Sequence, residues 1–154
     1  MRILLDTNAL LDLFTSRFPE RSASMRTIME CLSEREDQAI VCSTSLADAS
    51  YIVENNKAFK AAFPSAKKRR SLASWMRQEV LDTCEIAAVD GLVCSRAQQN
   101  SAEPDYDDAI VAECALINKC DCIVSSDKTA FNDSAVPKLS PSQCARLLMR
   151  RGAK

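Results

Sequence analysis

Three consecutive apolar residues near the amino terminus, Ile3, Leu4 and Leu5, stop abruptly at Asp6-Thr7-Asn8. An apolar run without polar alternation reads as a strand covered on both faces, the pattern of a parallel sheet packed between helices. Leu10, Leu11, Leu13 and Phe14 then recur at helical spacing. A buried strand that delivers a carboxylate and turns directly into a helix narrows the choice of fold. In open parallel sheets ligands bind outside the carboxyl ends of the strands, so Asp6 belongs at the rim of such a crevice. Asp is also a favoured N-cap, and for Asp6 alone the two readings weigh about equally.

The rest of the chain repeats the alternation. Strand-like runs are expected at residues 39–42, 84–89 and 121–124, with a short last one near 136–139. Between them the apolar spacing predicts helices over 22–32, from 43–45 through Val53, over 65–81, over 90–97, from Asp105 through Ile117, and from Ser140-Pro141 to about 149. The helix over 65–81 is expected to bury Leu72, Trp75, Met76 and Val80, and Arg17-Phe18-Pro19-Glu20 to break the helical pattern. Ser45 followed by Asp48 resembles a capping box with Asp in place of Glu. Strands alternating with helices indicate an α/β fold, a three-layer α/β/α arrangement around a central parallel sheet of four to five strands. The 154 residues fit one domain over 1–154 that buries roughly two thirds of its unfolded surface. No apolar run reaches the roughly 20 residues of a membrane span and Asp6 interrupts any leader-like start, so the cytosol is the expected location.

What is missing limits the chemistry. The chain has no histidine, which removes Ser-His-Asp and Cys-His nucleophiles, imidazole zinc sites and paired-histidine ribonuclease chemistry. Two glycines leave no material for a phosphate-cradling loop or dinucleotide fingerprint. The eight cysteines form no C-x-x-C pair and most lie in apolar stretches, where a reduced thiol acts as a small hydrophobe. Carboxylates, hydroxyls, amides, Lys and Arg remain.

The carboxylates are placed suggestively. Asp6 follows the first strand, Asp48 lies one turn into the helix after the second, and Asp127 follows the fourth; Asp105, Asp107 and Asp108 open a helix. Each has a plain explanation as a cap or as a favourable charge at a helix start. Together they converge on one edge of a parallel sheet, where unpaired carboxylates repel one another. A hard divalent cation removes that conflict, and an all-oxygen set without thiol or imidazole favours Mg2+ or Mn2+. Such an ion activates water and neutralises charge on a phosphate, the chemistry of phosphodiester hydrolysis.

Asp6-Thr7-Asn8 after a terminal strand, Asp105-Tyr-Asp-Asp108-Ala-Ile, and Ile123-Val-Ser-Ser-Asp127-Lys followed by Phe131 resemble the PIN domain. The likeness is to its small VapC-type members, the toxins of toxin–antitoxin pairs, and runs over nearly the whole chain, with residues 136–148 similar to the family's last strand and helix. The resemblance implies a Mg2+- or Mn2+-dependent ribonuclease in which Asp6, Asp108 and Asp127 hold the metal and water activated by it attacks phosphorus. Asp48 matches a position often occupied by Glu, as a ligand or water-orienting base; Asp105 would be an extra ligand or only the cap. Asn8 and Ser125 match small polar residues that orient water, metal or scissile phosphate. A small antitoxin and homodimerisation are also implied. The apolar Leu10, Leu11, Leu13, Phe14 and the helices from Met25 to Trp75 would supply a docking surface, or more simply the core.

The net charge of −1 hides an uneven distribution. Residues 103–127 are strongly acidic, whereas 57–70 carries Lys67, Lys68, Arg69 and Arg70, and the stretch after Asp133 carries Lys138, Arg146, Arg150, Arg151 and Lys154 without an acid. These basic regions are either an RNA-backbone surface beside an acidic crevice or solvated helix faces. Two rival functions follow: a PIN-like fold without catalysis that binds RNA or protein, and a carboxylate-based phosphatase, against which Asp6-Thr-Asn8 breaks the D-x-D-x-T pattern.

Overall fold

The computed structural model describes residues 1–152; Lys154, counted above among the basic residues, lies outside them. Five strands form one sheet: β1 (Arg2–Leu5), β2 (Gln38–Cys42), β3 (Glu85–Ala87), β4 (Cys122–Val124) and β5 (Lys138–Leu139). Their order is β3-β2-β1-β4-β5 and every pairing is parallel. β1 is central, with Leu4 opposite Ile40 on one side and Ile123 on the other. Burial on both faces explains the unbroken apolar run.

Successive side chains of β1 point to opposite faces, so Ile3 and Leu5 join one core and Leu4 the other. The first core is closed by α1 (Thr7–Phe14), α2 (Pro19–Ser33), α3 (Ser43–Asn55), α5 (Ala66–Thr83) and α8 (Pro141–Gly152). The second lies under α6 (Gly91–Gln99) and α7 (Tyr106–Ile117). Helices on both faces make the three layers expected from the alternation.

Several boundaries moved for identifiable reasons. Pro19 does not break a helix but occupies the first turn of α2, where its missing N–H costs nothing. A short helix, α4 (Lys57–Ala62), stands where only basic residues were read; Asn56 caps it by accepting from the Ala58 N–H. Ser65 caps α5 as expected, and α8 runs three residues beyond 149 to Gly152. The proposed capping box at Ser45 is absent. α3 starts two residues earlier with Cys42 at the N-cap, and the Ser45 hydroxyl is buried without a hydrogen-bond partner. Trp75 is half exposed rather than buried, its ring edge-on to Phe14 at 5.3 Å. All eight cysteines are free, and burial pushes the Cys120 thiol up to about 12. Among the described residues no helix is long and apolar enough to cross a membrane.

Candidate active site

The connection from β1 runs to β2 on one side, and the chain returns to place β4 on the other. The carboxyl ends of β1 and β4 therefore flank the point where strand order reverses, the usual ligand crevice of an open α/β sheet. Asp6 follows β1 there and Ser125 follows β4. The Asp6 N–H donates to the Val124 carbonyl at 3.1 Å, and the Ser125 hydroxyl donates to Asp6 Oδ2 at 2.9 Å.

Asp6 is the N-cap of α1 by position, yet its side chain makes no capping hydrogen bond. It is 5% exposed, and burial raises its pKa against the opposing pull of the Ser125 hydroxyl. Ser125 joins it to the crevice, while the backbone N–H groups of Thr7 and Asn8 at the start of α1 also favour its charged form.

A cleft of about 110 Å³ is lined by Asp6, Asn8, Thr44, Asp48, Asp107 and Asp108. It unites the ends of β1 and β2 with the start of α7. Asp48 faces it because α3 begins at Ser43, which puts Asp48 one and a half turns in; desolvation and the nearby Asp107 raise its pKa. Asp108 is pushed up to about 6 by desolvation and by Asp105, Asp6, Asp127 and Glu103.

Asp105 is the N-cap of α7, with Oδ1 accepting from the N–H groups of Asp107 and Asp108 at 3.0 and 3.2 Å. The cap explains it, and its other oxygen is left over. Asp127 stands just outside the cleft, close enough to raise Asp6 and Asp108. Its Oδ1 accepts from the Ala130 and Thr129 N–H groups and the Thr129 hydroxyl, which together hold its pKa below the usual carboxylate range. One oxygen of Asp127 builds the turn over 127–130; Oδ2 has no such duty.

The site has supports that sequence reading passed over. Glu103, counted only as part of an acidic run, is 5% exposed; its Oε2 accepts from the Phe131 N–H at 3.2 Å, while Oε1 is buried without a partner. Phe131 sits at φ 61°, a left-handed conformation that costs a non-glycine residue energy and so needs fixing from outside. Glu103 thereby ties the segment before α7 to the turn that carries Asp127. Asp12, an acid inside the apolar stripe of α1, is likewise buried and accepts from the Ser126 hydroxyl at 2.5 Å. The interrupted stripe was its signal; Glu103 had none.

Some expected residues do other work. Ser125 spends its hydroxyl hydrogen on Asp6 and accepts from the Asp127 N–H at 3.1 Å, so it orients two acids rather than a free water. Arg69 is buried, and its guanidinium donates to the carbonyls of Glu54, Phe63 and Pro64, closing the ends of α3 and α4; it is not a surface cation for RNA. Lys67, Lys68 and Arg70 remain exposed on α5. Lys138 donates to the carbonyls of Asp127 and Ala130, bracing the same turn from β5.

Among the described residues no three acids or thiols are gathered closely enough to enclose a metal ion. Mg2+ does not need such a cage: it keeps several waters and is usually held by one or two carboxylates together with substrate phosphate. All-oxygen donors with no cation partner, and an Asp108 held above its ordinary pKa by its neighbours, fit that kind of ion.

A family model described as the PIN domain matches residues 2–129. No curated protein matches the chain in sequence. Among solved structures, VapBC2 from Rickettsia felis bound to a promoter DNA fragment is similar at 13% identity and TM-score 0.63, over 91% of this chain and 98% of that one. FitAB bound to a DNA fragment is similar at 21% identity and TM-score 0.63, over 91% and 95%. PAE2754 from Pyrobaculum aerophilum is similar at 17% identity and TM-score 0.62, over 100% and 91%. At these identities the structures establish a shared fold.

Proposed function

The chain belongs to the PIN domain family, and on that premise we propose that it is a Mg2+- or Mn2+-dependent endoribonuclease, the toxin of a toxin–antitoxin pair. One observation carries this reading: Asp6, Asp48 and Asp108 line one cleft at the sheet's switch point, with Asp127 beside it and none of the four in an ion pair among the described residues. Asp6 and Asp108 would hold the ion together with the substrate phosphate, with Asp127 and Asp105 as further carboxylates beside them. An ion held there supplies neutralisation of the phosphate and lowers the pKa of water.

The chain's own residues supply the rest. Asp6 is aimed by Ser125, so its carboxylate keeps one orientation. Asp127 stays ionised because its turn favours the charged form. Asp48, with its pKa raised, is the base that takes the proton of the attacking water as the phosphorus–oxygen bond breaks. Asn8, lining the cleft, orients the scissile phosphate through its amide.

The partner proposed for this chain is a small antitoxin protein, by analogy with the VapBC2 and FitAB complexes, and self-association into a homodimer is proposed with it. The deciding experiment is incubation of purified protein with RNA in Mg2+ or Mn2+ and in chelator, with Asp108→Asn alongside. Cleavage that requires both the ion and Asp108 supports the reading. RNA binding without cleavage under every condition assigns the chain instead to a non-catalytic PIN-like module.

A further inference from the structure

Ser125 is a shared wall. On one side its hydroxyl reaches Asp6 in the acid cleft. On the other it borders a second groove, of about 310 Å³, between the start of α2 and the start of α8. The two depressions are thus neighbours, with Asp127 of the acid cluster on the wall of the second.

The groove differs in charge from the cleft. Arg21, Lys128 and Lys138 line it, against Glu20 and Asp127. Lys138 is engaged with two carbonyls, but Arg21 and Lys128 belong to none of the ion pairs among the described residues. Ser24 and Ser142 line it too, but the Ser24 hydroxyl donates to the Glu20 carbonyl and that of Ser142 meets the Ser140 hydroxyl at 3.2 Å. The N-terminus of α8 contributes little on its own. Its capping box is closed, with the Gln143 N–H on the Ser140 hydroxyl and the Ser140 N–H on the Gln143 side chain, and Pro141 has no N–H.

Beside this groove an exposed aromatic ring has two arginines against it. Phe18, 40% exposed, has the Arg21 guanidinium carbon 4.5 Å and that of Arg17 4.9 Å from its ring centroid. Arginine against an exposed aromatic ring is the pattern on which single-stranded nucleic acids stack their bases while their phosphates meet the positive charge. The opposite flank of the cleft offers no such surface: Asp48 and Asp107 line it.

We propose that single-stranded RNA runs from the acid cleft past Ser125 into this groove, with Arg21 and Lys128 on its phosphates and Phe18 beneath a base. The inference rests on the ribonuclease reading and adds the direction of the strand and the residues that hold it. Double-stranded RNA, whose bases are not free to stack, is a poorer occupant of the Phe18 platform.

The test is fluorescence anisotropy with a labelled oligouridylate of about 12 nucleotides, using full-length protein carrying Asp108→Asn to suppress cleavage. Adding Arg21→Ala and Lys128→Ala together is expected to weaken binding about tenfold or more and to flatten the salt dependence by about 1.4 in log–log slope, two phosphate contacts at about 0.7 each. Phe18→Ala is expected to weaken binding about fivefold or more with the salt slope unchanged. Lys67→Ala with Lys68→Ala, on α5, is expected to leave affinity as it was. Circular dichroism of each variant, matched to the parent, excludes misfolding as the cause. If the protein binds and, without Asp108→Asn, cleaves RNA while the Arg21/Lys128 variant binds as tightly as its parent, the groove assignment is overturned and the ribonuclease reading stands. If the unsubstituted protein neither binds nor cleaves RNA, both fall.

Discussion

The two ends of the sheet treat carboxylates in opposite ways. At the amino ends of the strands Asp37, Glu85 and Asp121 each have a partner. Asp37 pairs with the Met1 ammonium and with Arg151 at 3.6 Å, Glu85 meets Arg2 at 2.9 Å, and Asp121 accepts from the Arg2 backbone N–H at 2.8 Å. At the carboxyl ends Asp6, Asp48, Asp108 and Asp127 take part in no ion pair among the described residues. One edge has its charges matched within the chain; the other leaves them for something from outside. The difference separates acids that hold the fold together from acids that the fold has to tolerate.

The largest effect that bears on this contrast is on chemistry. Asp6→Asn or Asp108→Asn is expected to reduce metal-dependent RNA cleavage about a hundredfold or more, with the melting temperature unchanged or higher because repulsion is relieved. Arg2→Ala and Asp37→Asn are expected to do the reverse, leaving cleavage intact and lowering stability. A fully active Asp108→Asn protein would break the comparison outright. Next in size, saturating Mg2+ or Mn2+ should stabilise the parent by about 2.7 kcal/mol at a hundredfold excess over Kd, and Asp108→Asn should lose most of that gain in thermal melts. Glu103→Ala, which strips the Phe131 N–H of its buried acceptor, is expected to cost about 1–3 kcal/mol in urea denaturation, and Glu103→Gln appreciably less.

The pH response carries a sign. Asp108 is raised to about 6 in the folded chain, so between that value and the ordinary aspartate range the native state binds a proton that the unfolded state does not. Without metal, stability should therefore rise as pH falls from 7 toward 5, and this rise should shrink in Asp108→Asn. Melts across that range with chelator present check it. The smallest expected effect is Arg2→Ala, about 0.2–1 kcal/mol, since the Arg2–Glu85 pair is partly exposed and screened by salt.

Periodicity made the layers legible. Unbroken apolar runs marked β1, β2 and β4, and an acid after a strand marked the crevice, because both signals are local. The supports of the site were not legible, because they depend on contacts between distant segments. Glu103 gains its meaning only when Phe131 comes within 3.2 Å, and Ser125 only beside Asp6, 119 residues away. Arg69 shows the opposite error: a basic run reads as surface, yet the middle Arg turned inward to serve three carbonyls. The Ser45 box failed because β2 passes into α3 without a loop, so the helix had already begun.

The pairing of β1 with β4 has a consequence for the chain as it is made. During synthesis the first strand, its aspartate and the helices behind it emerge long before residues 122–125. Until those residues arrive, Asp6 has neither its hydroxyl partner nor its neighbouring strand, and the cleft lacks a wall. A ribosome-bound fragment ending before β4 therefore lacks both the hydroxyl that holds Asp6 and the strand beside it, and the cleft takes shape only once residues 122–125 have emerged.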